Sequence, residues 1–125
     1  MIKVLSVFGT RPEAIKMCPV VKELEKREHI KSIVCLTGQH EEMLEPVMQI
    51  FQMSAKYNLH IMKTNQTLSM ITTNILTQLD RIYELEKPNL VLVHGDTSSS
   101  FAGALTAFYR NIPVGHVEAG FVHTI

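Results

Sequence analysis

The sequence predicts an α/β fold built on a doubly wound, mostly parallel sheet. Three observations carry that expectation. Short apolar runs rich in β-branched residues recur at Val4–Phe8, Ser32–Leu36 and Leu90–His94, the pattern of strands covered on both faces. Between them lie segments whose apolar residues return every three or four positions. Strand and helix then alternate along the chain, which implies right-handed crossovers and an open sheet.

The elements follow in order. "VLSVF" is the first strand, and the helix after it keeps Ala14, Met17, Val21 and Leu24 on one face. "SIVCL" is the second strand, followed by a helix with Met43, Val47, Ile50 and Phe51 on its apolar side. Ser54 to Gln66 reads as a loop with a short strand near Leu59. A third helix aligns Leu68, Ile71, Ile75, Leu79 and Ile82, and leads to the strand "LVLVH". Phe101, Leu105 and Phe108 mark a fourth helix. "PVGHVE", Pro113 to Glu118, closes the series as a strand whose proline sits at its tolerated first position. No repeat, low-complexity segment or linker divides the chain, and residues 1–125 are read as one domain.

Composition narrows the function. Apolar residues make up 46% of the 125, which favours a packed core over disorder. Lys+Arg and Asp+Glu number 12 each, and this balance argues against a general nucleic-acid or acidic-membrane binder. Cys18 and Cys35 show no metal spacing and read as buried free thiols in a reducing cytosol. Neither a signal peptide nor an apolar run of membrane-spanning length is apparent.

Ligands of open α/β sheets bind beyond the carboxyl ends of the strands. That rule selects "GTRPE", "HGDTSSS" and "HVEAG". In the first, Thr10 and Glu13 have the spacing of a capping box and Pro12 suits a first helical turn. Local structure therefore explains those three, but it leaves Arg11 unexplained, because a cation is disfavoured at a helix N-terminus. A phosphate there would explain it, since backbone amides, dipole and guanidinium would address one anion. Lys16, one turn on, either points to the same crevice or is simply solvated. The single glycine excludes a G-x-G-x-x-G turn, and no P-loop motif occurs.

In "HGDTSSS", Asp96 or Thr97 would cap the next helix. Four consecutive hydroxyls, Thr97 to Ser100, exceed what a cap needs and suit sugar or phosphate oxygens. In "HVEAG", Glu118 stands at a strand end, with Ala119 and Gly120 keeping its surroundings small. If the two strands are neighbours, Asp96 and Glu118 emerge side by side, and two close carboxylates can divide into an acid and a base. The same stretches allow a rival: His94-x-Asp96 and His116-x-Glu118 repeat a pattern that could hold a divalent metal, although histidines near sheet ends are often only hydrogen-bonded core residues.

"VFGTRPEAIKM", "TGQHEEML", "VLVHGDTSSSFAGALTAFY" and "IPVGHVEAG" together resemble the start of the non-hydrolysing bacterial UDP-N-acetylglucosamine 2-epimerases, from Val4 to Gly120. The resemblance implies the first of two Rossmann-like domains in a glycosyltransferase-like architecture, with the active site between them. It implies a homodimer whose product feeds cell-envelope polysaccharides. The cysteines and the lack of a signal peptide place it in the cytoplasm. With no compelling metal-ligand spacing, a site that uses no cofactor or metal is expected. The activity implied is interconversion of UDP-N-acetylglucosamine and UDP-N-acetylmannosamine. A base takes the C2 proton as UDP leaves C1, and 2-acetamidoglucal re-adds UDP after protonation from the other face.

Carried over by position, the resemblance makes Asp96 and Glu118 catalytic and puts Arg11, Lys16, His94 and Thr97 at the nucleotide sugar. Gln39, His40 and Gln66 match part of an activator site for a second UDP-N-acetylglucosamine. Glu42 and Asn65 depart from the glutamine and arginine of members so regulated. After "EAG" the family continues with "LR" and a second domain, where this chain reads "FVHTI". That ending reads as a truncated first domain, inactive alone, with apolar residues beside an uncompleted sheet. Two further readings are a non-catalytic fragment that binds weakly or joins an intact subunit, and a glycosyltransferase-like enzyme on the same architecture.

Overall fold

The computed structural model describes residues 1–118 and the backbone of residues 121–124. In chain order the elements are β1 (Ile2–Phe8), α1 (Arg11–Glu25), β2 (Ile30–Leu36), α2 (Glu41–Ile50), β3 (Tyr57–Asn58), α3 (Leu68–Glu86), β4 (Leu90–His94), α4 (Ser98–Tyr109), β5 (Val114–Glu118) and β6 (Phe121–Thr124). They build one sheet of order β3-β2-β1-β4-β5-β6, in which β1 to β5 pair parallel. β6 is an addition to the predicted series. It pairs antiparallel with β5, from Glu118 opposite Phe121 to Gly115 opposite Thr124, and an antiparallel partner needs only a short connection. Ala119 and Gly120, expected to keep space around Glu118, lie outside the described residues, as does Ile125 and every side chain beyond Glu118.

Alternation along the strands divides the core between the two faces. Val4 and Phe8 of β1, with Val34 and Leu92, pack on Ala14, Met17, Cys18 and Val21 of α1 and on Leu44, Val47 and Met48 of α2. Leu5 and Val7, with Ile33, Cys35, Val91 and Val93, pack on the other face against α3 and α4. Successive crossovers therefore switch face between β1 and β4, the place where a doubly wound sheet opens a crevice. Both cysteines are buried in this core, and burial pushes Cys18 up to about 11 and Cys35 up to about 12, so neither is a reactive thiolate.

Two helices, α2 and α4, bury a different face from the one their largest residues suggest, while α3 departs only at its first residue. In α2 the buried set is Leu44, Val47 and Met48, while Met43 and Ile50 are exposed. Leu68 is exposed at the start of α3, whose Ile71, Ile75, Leu79 and Ile82 are buried. In α4 the predicted Phe101 and Phe108 are 57% and 73% exposed, and Ala102, Gly103, Thr106 and Ala107 face inward. Small side chains let α4 lie close to the sheet and α3, where the Tyr83 hydroxyl donates to the Gly103 carbonyl at 3.0 Å. Periodicity finds a helix, but which stripe is buried depends on how near the neighbours come.

At the amino end of the sheet a buried carboxylate closes the structure. Glu86, the last residue of α3, is 5% exposed and meets Lys3 at 3.2 Å and Lys56 at 2.7 Å, and the Tyr57 hydroxyl donates to it. Burial alone would raise its pKa, but hydrogen bonds from Lys56, Tyr57 and Lys3 outweigh that and hold it down at about 2. The short strand β3 is thereby pinned to β1 and α3.

Candidate functional site

The carboxyl ends of β1, β4 and β5 come together on one side of the sheet, because β4 pairs with both β1 and β5. β1 leads through Gly9 to Thr10, the N-cap of α1, and the full capping box forms. The Thr10 hydroxyl accepts from the Glu13 amide at 3.4 Å, and Glu13 Oε1 accepts from the amides of Gly9 and Thr10, each at 2.9 Å. Pro12 follows in the first turn, as its spacing predicts.

Arg11 and Lys16 stand exposed on this helix. Among the described residues neither has a carboxylate within ion-pair distance. Lys16 and Glu13 both lie near enough to His94, at the end of β4, to act on its charge.

His94 is half-buried, and its Nδ1 has no hydrogen-bond partner among the described residues. Burial holds its pKa below the usual histidine value; the Glu13 and Glu118 carboxylates pull upward, and His116 and Lys16 add to the lowering. Burial thus favours the neutral imidazole, whose Nδ1 is a buried polar atom without a partner among the described residues.

The chain then turns sharply. Gly95 has φ +75°, a conformation glycine adopts without a Cβ penalty, and its carbonyl accepts from Ser100 Oγ and from His116 Nε2, both at 3.0 Å. A carbonyl cannot donate, so His116 carries its proton on Nε2 and turns Nδ1 toward Glu118 Oε1, 3.4 Å away. Asp96 and Glu118 are both exposed, at the ends of neighbouring strands. The structure thus satisfies the condition of neighbouring strands on which their pairing was expected. Among the described residues no group of three or more His, Cys, Asp or Glu side chains is arranged to hold a metal ion.

The hydroxyl run of Thr97 to Ser100 is largely committed within the protein. Thr97 caps α4, accepting from the Ser100 amide at 3.3 Å, and donates its hydrogen to Glu13 Oε2. Ser99 is buried, 2.8 Å from Thr37 Oγ1, and also donates to Gln39 Oε1. Ser100 shares its hydrogen between the carbonyls of Gly95 and Thr97. Ser98 is the only one of the four without an internal side-chain bond among the described residues. Toward a ligand, then, Thr97 offers a lone pair or its backbone rather than a hydroxyl hydrogen.

Gln39 and His40 sit beside the same crevice, Gln39 through Ser99 and His40 through its amide, which donates to the Gly9 carbonyl at 3.0 Å. Both line an open hollow of about 360 Å³ with Gly38, Glu41, Glu42, Met43 and Met62. Gln66 is not among those lining residues; its Oε1 is buried without a partner among the described residues. Sequence reasoning assigned Glu13 to capping alone. Its bond to Thr97, 84 positions away, left no local signal.

A family model for UDP-N-acetylglucosamine 2-epimerase matches residues 22–123. Among curated relatives, the UDP-N-acetylglucosamine 2-epimerase of Neisseria meningitidis is 59% identical over 94% of this chain and 32% of its own length. That of Bacillus subtilis is 55% identical over 95% and 31%. The chain therefore spans about a third of the length of these relatives. The crystal structure of the Neisseria meningitidis enzyme bound to UDP-GlcNAc superposes with a TM-score of 0.90 over 95% of this chain and 32% of that one, at 59% identity. The fold alone extends further, to Acinetobacter baumannii MurG, 16% identical with a TM-score of 0.72 over 91% of this chain and 34% of that one.

Proposed function

We propose, for a chain that belongs to the UDP-N-acetylglucosamine 2-epimerase family, that it supplies one wall of a site interconverting UDP-N-acetylglucosamine and UDP-N-acetylmannosamine. The observation that carries this reading is the charge arrangement. Two exposed cations without ion-pair partners among the described residues, Arg11 and Lys16, stand on the first turns after β1, on the side of the sheet where two exposed carboxylates, Asp96 and Glu118, end β4 and β5. Arg11 meets the diphosphate at the amino end of α1, where the helix dipole adds to its attraction. Lys16, His94 and the cap at Thr97 complete the contacts to the nucleotide sugar.

The chemistry needs a base for the C2 proton and an acid to return a proton from the opposite face. Asp96 and Glu118 take these parts. UDP leaves C1 as the C2 proton is removed, and the diphosphate cations stabilise the departing charge. Gln39 and His40, which line the hollow beside this crevice, are the residues an activator subsite would use, and Gln66 stands apart from them. The assembly is a cytoplasmic homodimer, and the exposed Phe101 and Phe108 of α4 supply an apolar face suited to a second copy. Among the described residues no helix is long and apolar enough to cross a membrane.

The test is exchange of the C2 proton with solvent deuterium in the enzyme that carries this chain. Asp96→Asn and Glu118→Gln should each retain UDP binding while slowing exchange by about 10²–10⁴-fold. Normal exchange in both variants would reduce these carboxylates to surface charges.

A further inference from the structure

We propose that Glu13 is a positioning residue of this site, a carboxylate that locks the amino end of α4 to the amino end of α1. The inference rests on the functional reading above and adds to it the part that holds the two anion-facing helix ends at a fixed spacing. Glu13 is 2% exposed and has no cationic partner among the described residues. Its two oxygens do different work. Oε1 accepts the amides of Gly9 and Thr10, which a capping box requires. Oε2 accepts the hydroxyl hydrogen of Thr97, which no cap of α1 requires.

Thr97 is in turn the cap of α4, taking the Ser100 amide on the same oxygen. One buried side chain thus orders the first turns of two helices that approach the crevice from opposite faces of the sheet. A second link runs beside it. Ser99 of α4 meets Thr37 and Gln39 after β2, and Gly9 lies so close beneath them that a Cβ there would stand 1.8 Å from Thr37 Oγ1 and 2.9 Å from Ser99 Oγ. The three strand ends are therefore stitched together by hydroxyl and carboxylate bonds. A carboxylate gives the stronger, charge-assisted version of each bond. Glu13→Gln keeps the length and the Oε1 acceptor but turns an N–H donor toward Thr97, so the Thr97 hydrogen loses its acceptor and the new donor competes with the Ser100 amide for the Thr97 oxygen.

Two readouts separate positioning from capping. The first is amide hydrogen exchange in the unliganded protein. Glu13→Gln and Thr97→Val should each speed exchange of the Ser100 amide about tenfold or more, at a site 87 positions from residue 13, while the amides of β1 keep their protection. The second is kcat/KM for UDP-N-acetylglucosamine in the enzyme that carries this chain. A misplacement of about 1 Å can cost about 10²-fold, and each single variant should approach that with little change in thermal midpoint. The double variant should cost no more than the worse single one, because both break the same bond. Thr97→Ser should recover most of what Thr97→Val loses. Unchanged Ser100 exchange with unchanged kcat/KM would leave Glu13 a cap of α1 and overturn the proposal. Equal acceleration throughout the protein would do the same, by showing general loosening. If the parent enzyme turns over no UDP-N-acetylglucosamine, the functional reading fails, and Ser100 exchange still decides the positioning role.

Discussion

Two buried carboxylates sit at opposite ends of the sheet, and their partners differ in kind. Glu86, at the amino end, is neutralised by Lys3 and Lys56 and bonded by Tyr57. Glu13, at the carboxyl end, is satisfied by backbone amides and one hydroxyl, while Arg11 and Lys16 nearby remain without carboxylate partners among the described residues. The Glu86 carboxylate is matched by internal cations and serves the fold. The Glu13 carboxylate is matched by hydrogen-bond geometry alone, beside two cations that the proposed ligand would meet. Exposed Lys31 and Lys87 at the amino end also lack carboxylate partners among the described residues, so it is the place of Arg11 and Lys16 beside the carboxyl ends of the strands that directs the search for a ligand.

The comparison can be broken most directly at the carboxyl end. Arg11→Ala combined with Lys16→Ala should weaken UDP binding by about 10²-fold, since charge-assisted hydrogen bonds are among the stronger ones. The thermal midpoint should stay level or rise slightly, through relief of a cation at a helix N-terminus. A large fall in stability with binding intact would make these residues structural and erase the contrast.

The amino end should respond in the opposite way. Glu86→Gln should cost about 1–3 kcal/mol in denaturant unfolding and leave UDP affinity alone. The pH dependence sharpens this. The Glu86 pKa is held down from 4.5 to about 2, so its contribution is present above pH 4.5 and fades as pH falls toward 2. Wild-type protein should lose stability over that window, and Glu86→Gln should lose less. Parallel curves for the two would show that the lysines do not act on this carboxylate.

The smallest expected effect separates the two ends by proton linkage near neutrality. Burial lowers the His94 pKa, so folding favours the neutral imidazole. The resulting stability is present above the unfolded value of 6.5 and is lost as pH falls below it. His94→Gln should flatten the stability profile between pH 7 and pH 5 while leaving the Glu86 window below pH 4.5 as it was. An unchanged profile above pH 5 would mean that His94 is solvated and not turned into the crevice.

What the sequence by itself determined was local in its physics. Strand runs at Val4–Phe8 and Leu90–His94, the Ile71–Ile82 stripe, and the cap at Thr10 each depend on neighbours a few positions away, and each stands in the structure as read. The quoted motifs also carried the family, and the rule about strand ends selected the side of the sheet on which the candidate residues gather before any packing was known. Arg11 was legible because it contradicts its own helix, and a local contradiction needs no tertiary knowledge to notice. Only the tertiary structure decided the rest. It showed that α4 buries Ala102 and Gly103 instead of Phe101 and Phe108, because helix spacing is set by what lies across from it. It committed three of the four hydroxyls in "TSSS" to internal bonds. It joined Glu13 to Thr97 and Glu86 to Lys3 and Lys56 across 84, 83 and 30 positions, and a contact between distant residues leaves no periodicity for a sequence to display.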